Sequence, residues 1–124
     1  MADVTPTITR IVTHGALAGY NVAWAGLTFD AAPNISGVRY TNIAFADRSV
    51  QVTGTFGVGG RVLLQGSNDG TNWVTLNDPQ ANALSFTAAG LEAVLELTQY
   101  IRPTVNAGDG TTSLTVTMTF GGRR

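Results

Sequence analysis

From Ser49 to Ser67 the chain reads SVQVTGTFGVGGRVLLQGS, and the reading of this stretch decides the fold class. Val50, Val52, Gly54 and Phe56 alternate with Gln51, Thr53 and Thr55, so one face is apolar and the other polar. That period of two is the signature of a half-buried strand. Gly57-Val58-Gly59-Gly60 then supplies residues that accept φ > 0 without a Cβ penalty, as a tight turn requires. Alternation resumes at Arg61, with Val62 and Leu64 on one face and Leu63 and Gln65 on the other. The segment reads as a β-hairpin.

Strand signals recur on both sides of it. Tyr20, Val22, Trp24 and Gly26 alternate, and Leu27-Thr28-Phe29 continues them past a bulge. Leu114, Val116, Met118 and Phe120 face inward against Thr115, Thr117 and Thr119, the cleanest alternation in the chain. Val38 and Tyr40 suggest a short edge strand, with Phe45 as a plug. Asn68-Asp69-Gly70-Thr71-Asn72 is a turn, left by Trp73-Val74-Thr75-Leu76. Pro103 limits its strand to an edge, a bulge or a strand end. Thr87–Val94 has local helical propensity, one turn at most before Gly90 interrupts it. Seven to nine strands with turns at this spacing predict an all-β, two-sheet β-sandwich, jelly-roll-like, with at most one or two short helical turns. Residues 1–124 are expected to form a single domain, with 1–10 a possible extended arm and 121–124 a tail.

Composition narrows the function classes. The chain has 124 residues, no cysteine, 12% charged residues and a net charge of −1. No basic patch precedes the terminal Arg123-Arg124, so nucleic-acid binding is not expected. The apolar runs are too short for a transmembrane helix, and MADVTPTITR lacks the pattern of a signal peptide, so no membrane role is expected. All seven basic residues are arginine. Arginine suits interfaces and bidentate pairing, where lysine is depleted; a bias of the coding genome explains the same count.

The chemistry-bearing residues are sparse. His14 is the lone histidine, set before Gly15 at a strand end and read as a turn residue, because no serine stands in a nucleophile-elbow context. One His and no Cys cannot fill a zinc site. Asp69, Asn72 and Asp47 offer hard oxygen ligands for calcium, but the Asn-Asp-Gly turn explains the first two without a metal. Glu92 and Glu96 form a carboxylate pair without the aromatic platform of a sugar hydrolase. Gly57–Gly60 lacks the Lys-Ser/Thr of a phosphate loop. No catalytic residue, metal or cofactor is expected, and the protein is read as a non-enzyme. Trp24 and Trp73, with Tyr20, Tyr40 and Tyr100, form either a carbohydrate-stacking face or the closed ends of the core.

Two resemblances add to this. Leu63–Asp78, LLQGSNDGTNWVTLND, resembles the hairpin of discoidin-type and other galactose-binding-like sandwiches. That likeness implies a carbohydrate-binding or adhesin-like module with glycan contacts at Asn68, Asp69 and Trp73. More broadly, Asp47 to Phe120 is similar to small proteins of tailed-phage genomes, and a β-sandwich of this size there resembles head decoration (cement) proteins. The family implies a structural bacteriophage protein made in the host cytoplasm. It would sit on the capsid exterior of the virion and brace neighbouring major capsid proteins.

The termini are the expected contact points. Met1–Arg10, with Pro6 and several β-branched residues, reads as an arm that orders against a partner. Gly121-Gly122 releases the last strand so that Arg123-Arg124 reach an acidic neighbour. Thr5, Pro6, Ile8, Arg10, Arg123 and Arg124 are therefore the candidate contacts with the capsid protein. A homo-oligomer, dimer or trimer, is expected on a symmetry axis. Deleting residues 1–10 is expected to weaken capsid binding and leave the melting temperature nearly unchanged.

Overall fold

Ten strands form among the residues that the computed structural model describes, 3–30, 35–41 and 43–123. They are β1 (Thr7–Thr13), β2 (Ala16–Thr28), β3 (Ile35–Ser36), β4 (Phe45–Thr55) and β5 (Arg61–Ser67) in the first half. The second half adds β6 (Val74–Thr75), β7 (Ser85–Phe86), β8 (Gly90–Ala93), β9 (Tyr100–Ala107) and β10 (Ser113–Arg123). One antiparallel sheet has the order β1-β2-β10-β4-β8; the other is β3-β9-β5-β6, with β7 also paired to β5. From β2 to β5 and from β7 to β10 each successive strand lies in the opposite sheet, the connectivity of a jelly roll. No helix is present among the described residues.

The alternations read from the sequence make the core. Val50 and Val52 on β4, Val62 and Leu64 on β5, and Leu114, Val116, Met118 and Phe120 on β10 are all buried. Trp24 and Leu27 complete the layer from β2, which bulges between them: Val116 opposes Trp24, yet Leu114 opposes Leu27. Gly26 takes φ 73° inside that bulge. Burying each such side chain contributes about 1.5–3 kcal/mol. Leu64, Leu76 and Leu84 join three strand segments through their backbones: Leu64 N–H donates to Leu84, Leu84 N–H to Leu76, and Leu76 N–H to Leu64.

The stretch that decided the fold class is not a hairpin. β4 pairs with β10 and β8, β5 with β9, β6 and β7, so Gly57–Gly60 carries the chain from one sheet to the other. Its glycines serve the same conformational need, with φ 70° at Gly57 and Gly59. Thr112 Oγ1 donates to Phe56 O at 2.7 Å and Val58 N–H to Asp109 Oδ2 at 2.9 Å, which ties this crossover to the β9–β10 turn. Thr87–Val94 is likewise not helical: it bends at Thr87-Ala88, and β8 then adds to β4 with Gln51 opposite Leu91 and Val50 opposite Glu92. The short strand before Phe45 is Ile35–Ser36, not Val38–Tyr40; Tyr40 makes an isolated bridge to Ile101.

Pro103 sits within β9, an interior strand, opposite Leu64. Its carbonyl accepts from Gly37 N–H at 2.8 Å, so the donor it lacks falls where the two-residue β3 has ended.

The N-terminal segment is part of the sandwich rather than a free arm. Val4 N–H donates to Ser36 O and its carbonyl accepts from Val38 N–H, after which Thr7–Thr13 pairs along β2. Met1 and Ala2 lie outside the described residues. At the other end Gly121 opposes Asp47 and Arg123 opposes Phe45, so β10 runs through the segment read as a releasing tail. Arg124 lies outside the described residues.

Candidate partner-binding surface

The Asn68–Asn72 turn folds by its own side chains. Asp69 Oδ1 accepts from the Thr71 and Asn72 N–H groups, both at 2.8 Å, and from Ser67 Oγ at 2.9 Å. Asp69 Oδ2 accepts from Asn72 Nδ2 at 2.8 Å. Donation by the Asn72 and Thr71 backbones, then by the Asn72 amide and Ser67 hydroxyl, holds this carboxyl far below the usual carboxylate range. Gly70 supplies the positive φ, 78°, that the turn needs. Asn68 Oδ1 accepts from Gln99 N–H at 2.9 Å, which fastens the turn to the loop before β9. β6 then returns along β5, Thr75 opposite Gln65, so Arg61–Thr75 is a hairpin.

β9 brings cations and aromatics onto the outer face beside that turn. Tyr100 and Arg102 are two apart on one strand and share a face. The Arg102 guanidinium lies 4.1 Å from the centre of the Trp73 ring, and that of Arg39 lies 4.3 Å from the centre of Tyr100. Each stack contributes about 0.5–1 kcal/mol at an exposed site. Arg102 Nε donates to Gln65 Oε1 at 3.0 Å, and Thr104 Oγ1 donates to the same oxygen at 2.9 Å. Ser36 and Thr104 share a hydroxyl hydrogen bond of 2.9 Å that extends the ladder to β3. Further along, Arg61 Nε donates to Asn106 Oδ1 at 3.0 Å. Burial lowers Arg102 somewhat and Asp3 opposes that shift; the group stays a cation.

Three arginines are thus fixed on one face by rings and neutral amides. Arg61 and Arg102 make these hydrogen bonds through Nε, and guanidinium geometry matches carboxylates two bonds at a time. The arrangement can bind acidic groups.

The glycan candidates Asn68, Asp69 and Trp73 do cluster at this turn, with Asn68 Oδ1, both Asp69 carboxyl oxygens and one face of the Trp73 ring engaged within the chain. Trp24 is fully buried and donates from Nε1 to Val38 O at 2.9 Å, so it closes the core. Tyr20 packs edge-on against Phe45 and Tyr40 tilts against Phe120, at 5.8 and 5.3 Å between ring centres. Of the terminal candidates, Thr5 and Pro6 lead from Val4, which bridges to Gly37, into β1, and Ile8 and Arg10 are exposed on β1, the outer edge of its sheet. His14 and Gly15 form the β1–β2 turn with φ 52° and 75°, the positive values a two-residue hairpin needs.

Glu92 is exposed on β8, whereas Glu96 accepts from Asn77 N–H at 2.8 Å and Asn77 Nδ2 at 2.6 Å. Burial raises the Glu96 carboxyl, but those donors and the Arg48 charge outweigh it and lower it on balance. Among the described residues no group of three or more His, Cys, Asp or Glu is placed to hold a metal ion. A shallow cleft of about 210 Å³ is lined by Asp47, Arg48, Ser49, Thr119 and Gly121. Arg48 is buried there, its charge facing that of Glu96.

Sequence reasoning missed Arg39 and Arg102. Arg102 carried a readable signal, its spacing of two from Tyr100 on a strand; Arg39, in a loop, carried none. No family model, no curated protein and no solved structure matches this chain.

Proposed function

We propose that this chain is a structural, non-catalytic protein of a tailed-phage virion that binds the outside of the capsid and braces neighbouring major capsid proteins. The observation that carries the reading is the outer face of β9, β5 and β3. There Arg39 and Arg102 are held on Tyr100 and Trp73, and Arg61 on Asn106. A face organised before binding loses little side-chain entropy when it docks on acidic protein. The resemblance over Asp47–Phe120 supplies the partner, the major capsid protein. The mode of action is mass action: a protein that binds the assembled shell stabilises that state. Weak contacts suffice when each copy bridges two capsomers, because the second contact forms at high effective concentration.

Cosedimentation with shells of the cognate capsid protein tests this. The wild-type chain is expected to pellet with the shells, and the Arg39→Glu/Arg102→Glu variant to remain in the supernatant. Equal pelleting of both, or of neither, overturns the reading. A glycan array probes the carbohydrate-binding alternative: Trp73-dependent glycan binding without cosedimentation would replace the capsid assignment.

A further inference from the structure

We propose that copies of this chain associate edge to edge, with β1 of one copy adding in parallel to β8 of the next, independently of whether either binds a capsid. β1 and β8 are the two outer strands of the same five-stranded sheet. Among the described residues no strand pairs with the outward edge of either. Seven residues of free edge on β1 carry five exposed β-branched groups, Thr7, Ile8, Thr9, Val12 and Thr13, with Ile8 at 51% and Val12 at 57% exposure. β8 shows Leu91 at 61%, followed by Leu95 at 55% and Leu97 at 42%. Free edges of this length are normally short, capped, charged or covered, because they template pairing with another chain.

Charge and face decide the pairing partner. Arg10 is the single charged residue of β1 and Glu92 the single one of β8. Arg10 opposes Tyr20 and Ile8 opposes Val22, so both lie on the side of the sheet that faces the core. Glu92 opposes Val50 and lies on that same side. Thr9, opposite Asn21, and Leu91, opposite Gln51, lie on the other. In β1–β2–β10–β4–β8 every neighbour is antiparallel, so β1 and β8 run in the same direction. Parallel is therefore the orientation in which β8′ can add to β1 and continue the sheet with core faces aligned. It sets Arg10 and Glu92′ on one face and Thr9 and Leu91′ on the other. Arg10 is the central residue of β1, so a two-fold β1–β1′ contact using the whole strand would oppose two like charges. The β1–β8′ contact is head-to-tail, and its product is a ring or an open chain rather than a two-fold dimer.

Two measurements test the contact. In sedimentation equilibrium of the wild-type chain, species larger than a dimer are expected. Arg10→Glu and Glu92→Arg should each weaken association about tenfold or more, and the double exchange should restore it. Because the chain has no cysteine, introduced thiols report geometry without background. Thr9→Cys/Leu91→Cys should form disulfide-linked ladders under mild oxidation, while Thr9→Cys alone should stay uncross-linked. A strict monomer at every concentration, cross-linked dimers of Thr9→Cys alone, or charge reversals without rescue would each overturn the proposal.

Discussion

Gly37→Ala should cost this protein about 2 kcal/mol, although it adds one methyl group to a loop. A Cβ at Gly37 would stand 2.6 Å from Trp24 Nε1 and 2.7 Å from Pro103 Cδ, and closer still to Trp24 Cδ1. Neither neighbour can swing away. Trp24 is fully buried and bonded to Val38 O, and Pro103 is fixed within β9. Overpacking of this kind costs about 1–3 kcal/mol. For a chain of this size each kcal/mol lowers the melting temperature by roughly 4 °C, so a fall of about 8 °C is expected. Trp24→Phe removes the pyrrole edge, and with it two of the three clashes, at its own cost of about 2 kcal/mol in lost packing and a lost hydrogen bond. In that background Gly37→Ala should cost less than about 1 kcal/mol, a coupling of at least about 1 kcal/mol. Urea denaturation followed by far-ultraviolet circular dichroism measures all four corners of the cycle. Additive effects, or a wild-type-like Gly37→Ala, would refute the packing reasoning. The same substitution should loosen the Arg39–Tyr100 stack, because Arg39 follows Gly37 by two residues.

Three further outcomes are expected. Asp109 is held down to about 2, first by the Thr111 hydroxyl and then by the Val58 and Thr111 N–H groups, and Asp69 lies lower still. Folded-state values below the unfolded carboxylate range mean that their contribution is complete above about pH 5 and is lost as pH falls through 4 towards 2; thermal melts against pH should show that fall, and Asp109→Asn should reduce it. Arg102→Ala should change stability by less than about 1 kcal/mol, yet uncover Trp73, so acrylamide quenching of tryptophan fluorescence should rise; unchanged quenching would mean that the stack does not persist in solution. Deleting residues 1–10 should lower the melting temperature of the isolated chain by several degrees, since it strips β2 of its partner from Tyr20 to Ala23 and removes both Val4 hydrogen bonds; an unchanged melt would return those residues to the role of a loose arm.

The inward strands were legible in the sequence for one reason: Leu114 to Phe120 and Val50 to Val52 are buried on one face and exposed on the other, which imprints a period of two. The link between β4 and β5 was not legible, because a hairpin and a crossover use the same turn chemistry. Glycines at positive φ serve both, and the choice is made by β10 and β9, some 50 residues downstream. Thr87–Val94 followed the same rule: pairing with β4 overrode a weak local helical preference. The missing donor of Pro103 points to an edge, a bulge or a strand end, but β3 is so short that an interior strand tolerates the loss. At the candidate surface the Asn68–Asn72 turn was readable, because Asp and Gly state their roles locally. Arg39 was not, since only the tertiary fold brings its loop over Tyr100.

The central proposal is that the face carrying Arg39, Arg61 and Arg102 would seat this protein on a capsid exterior. A near-atomic reconstruction of the cognate virion tests it most directly. The account predicts density for the ten-stranded sandwich outside the shell, with Arg39 and Arg102 against carboxylates of the major capsid protein and Tyr100 and Trp73 still stacked beneath them. Density that presents this face to solvent, or a virion that lacks the protein, would contradict it.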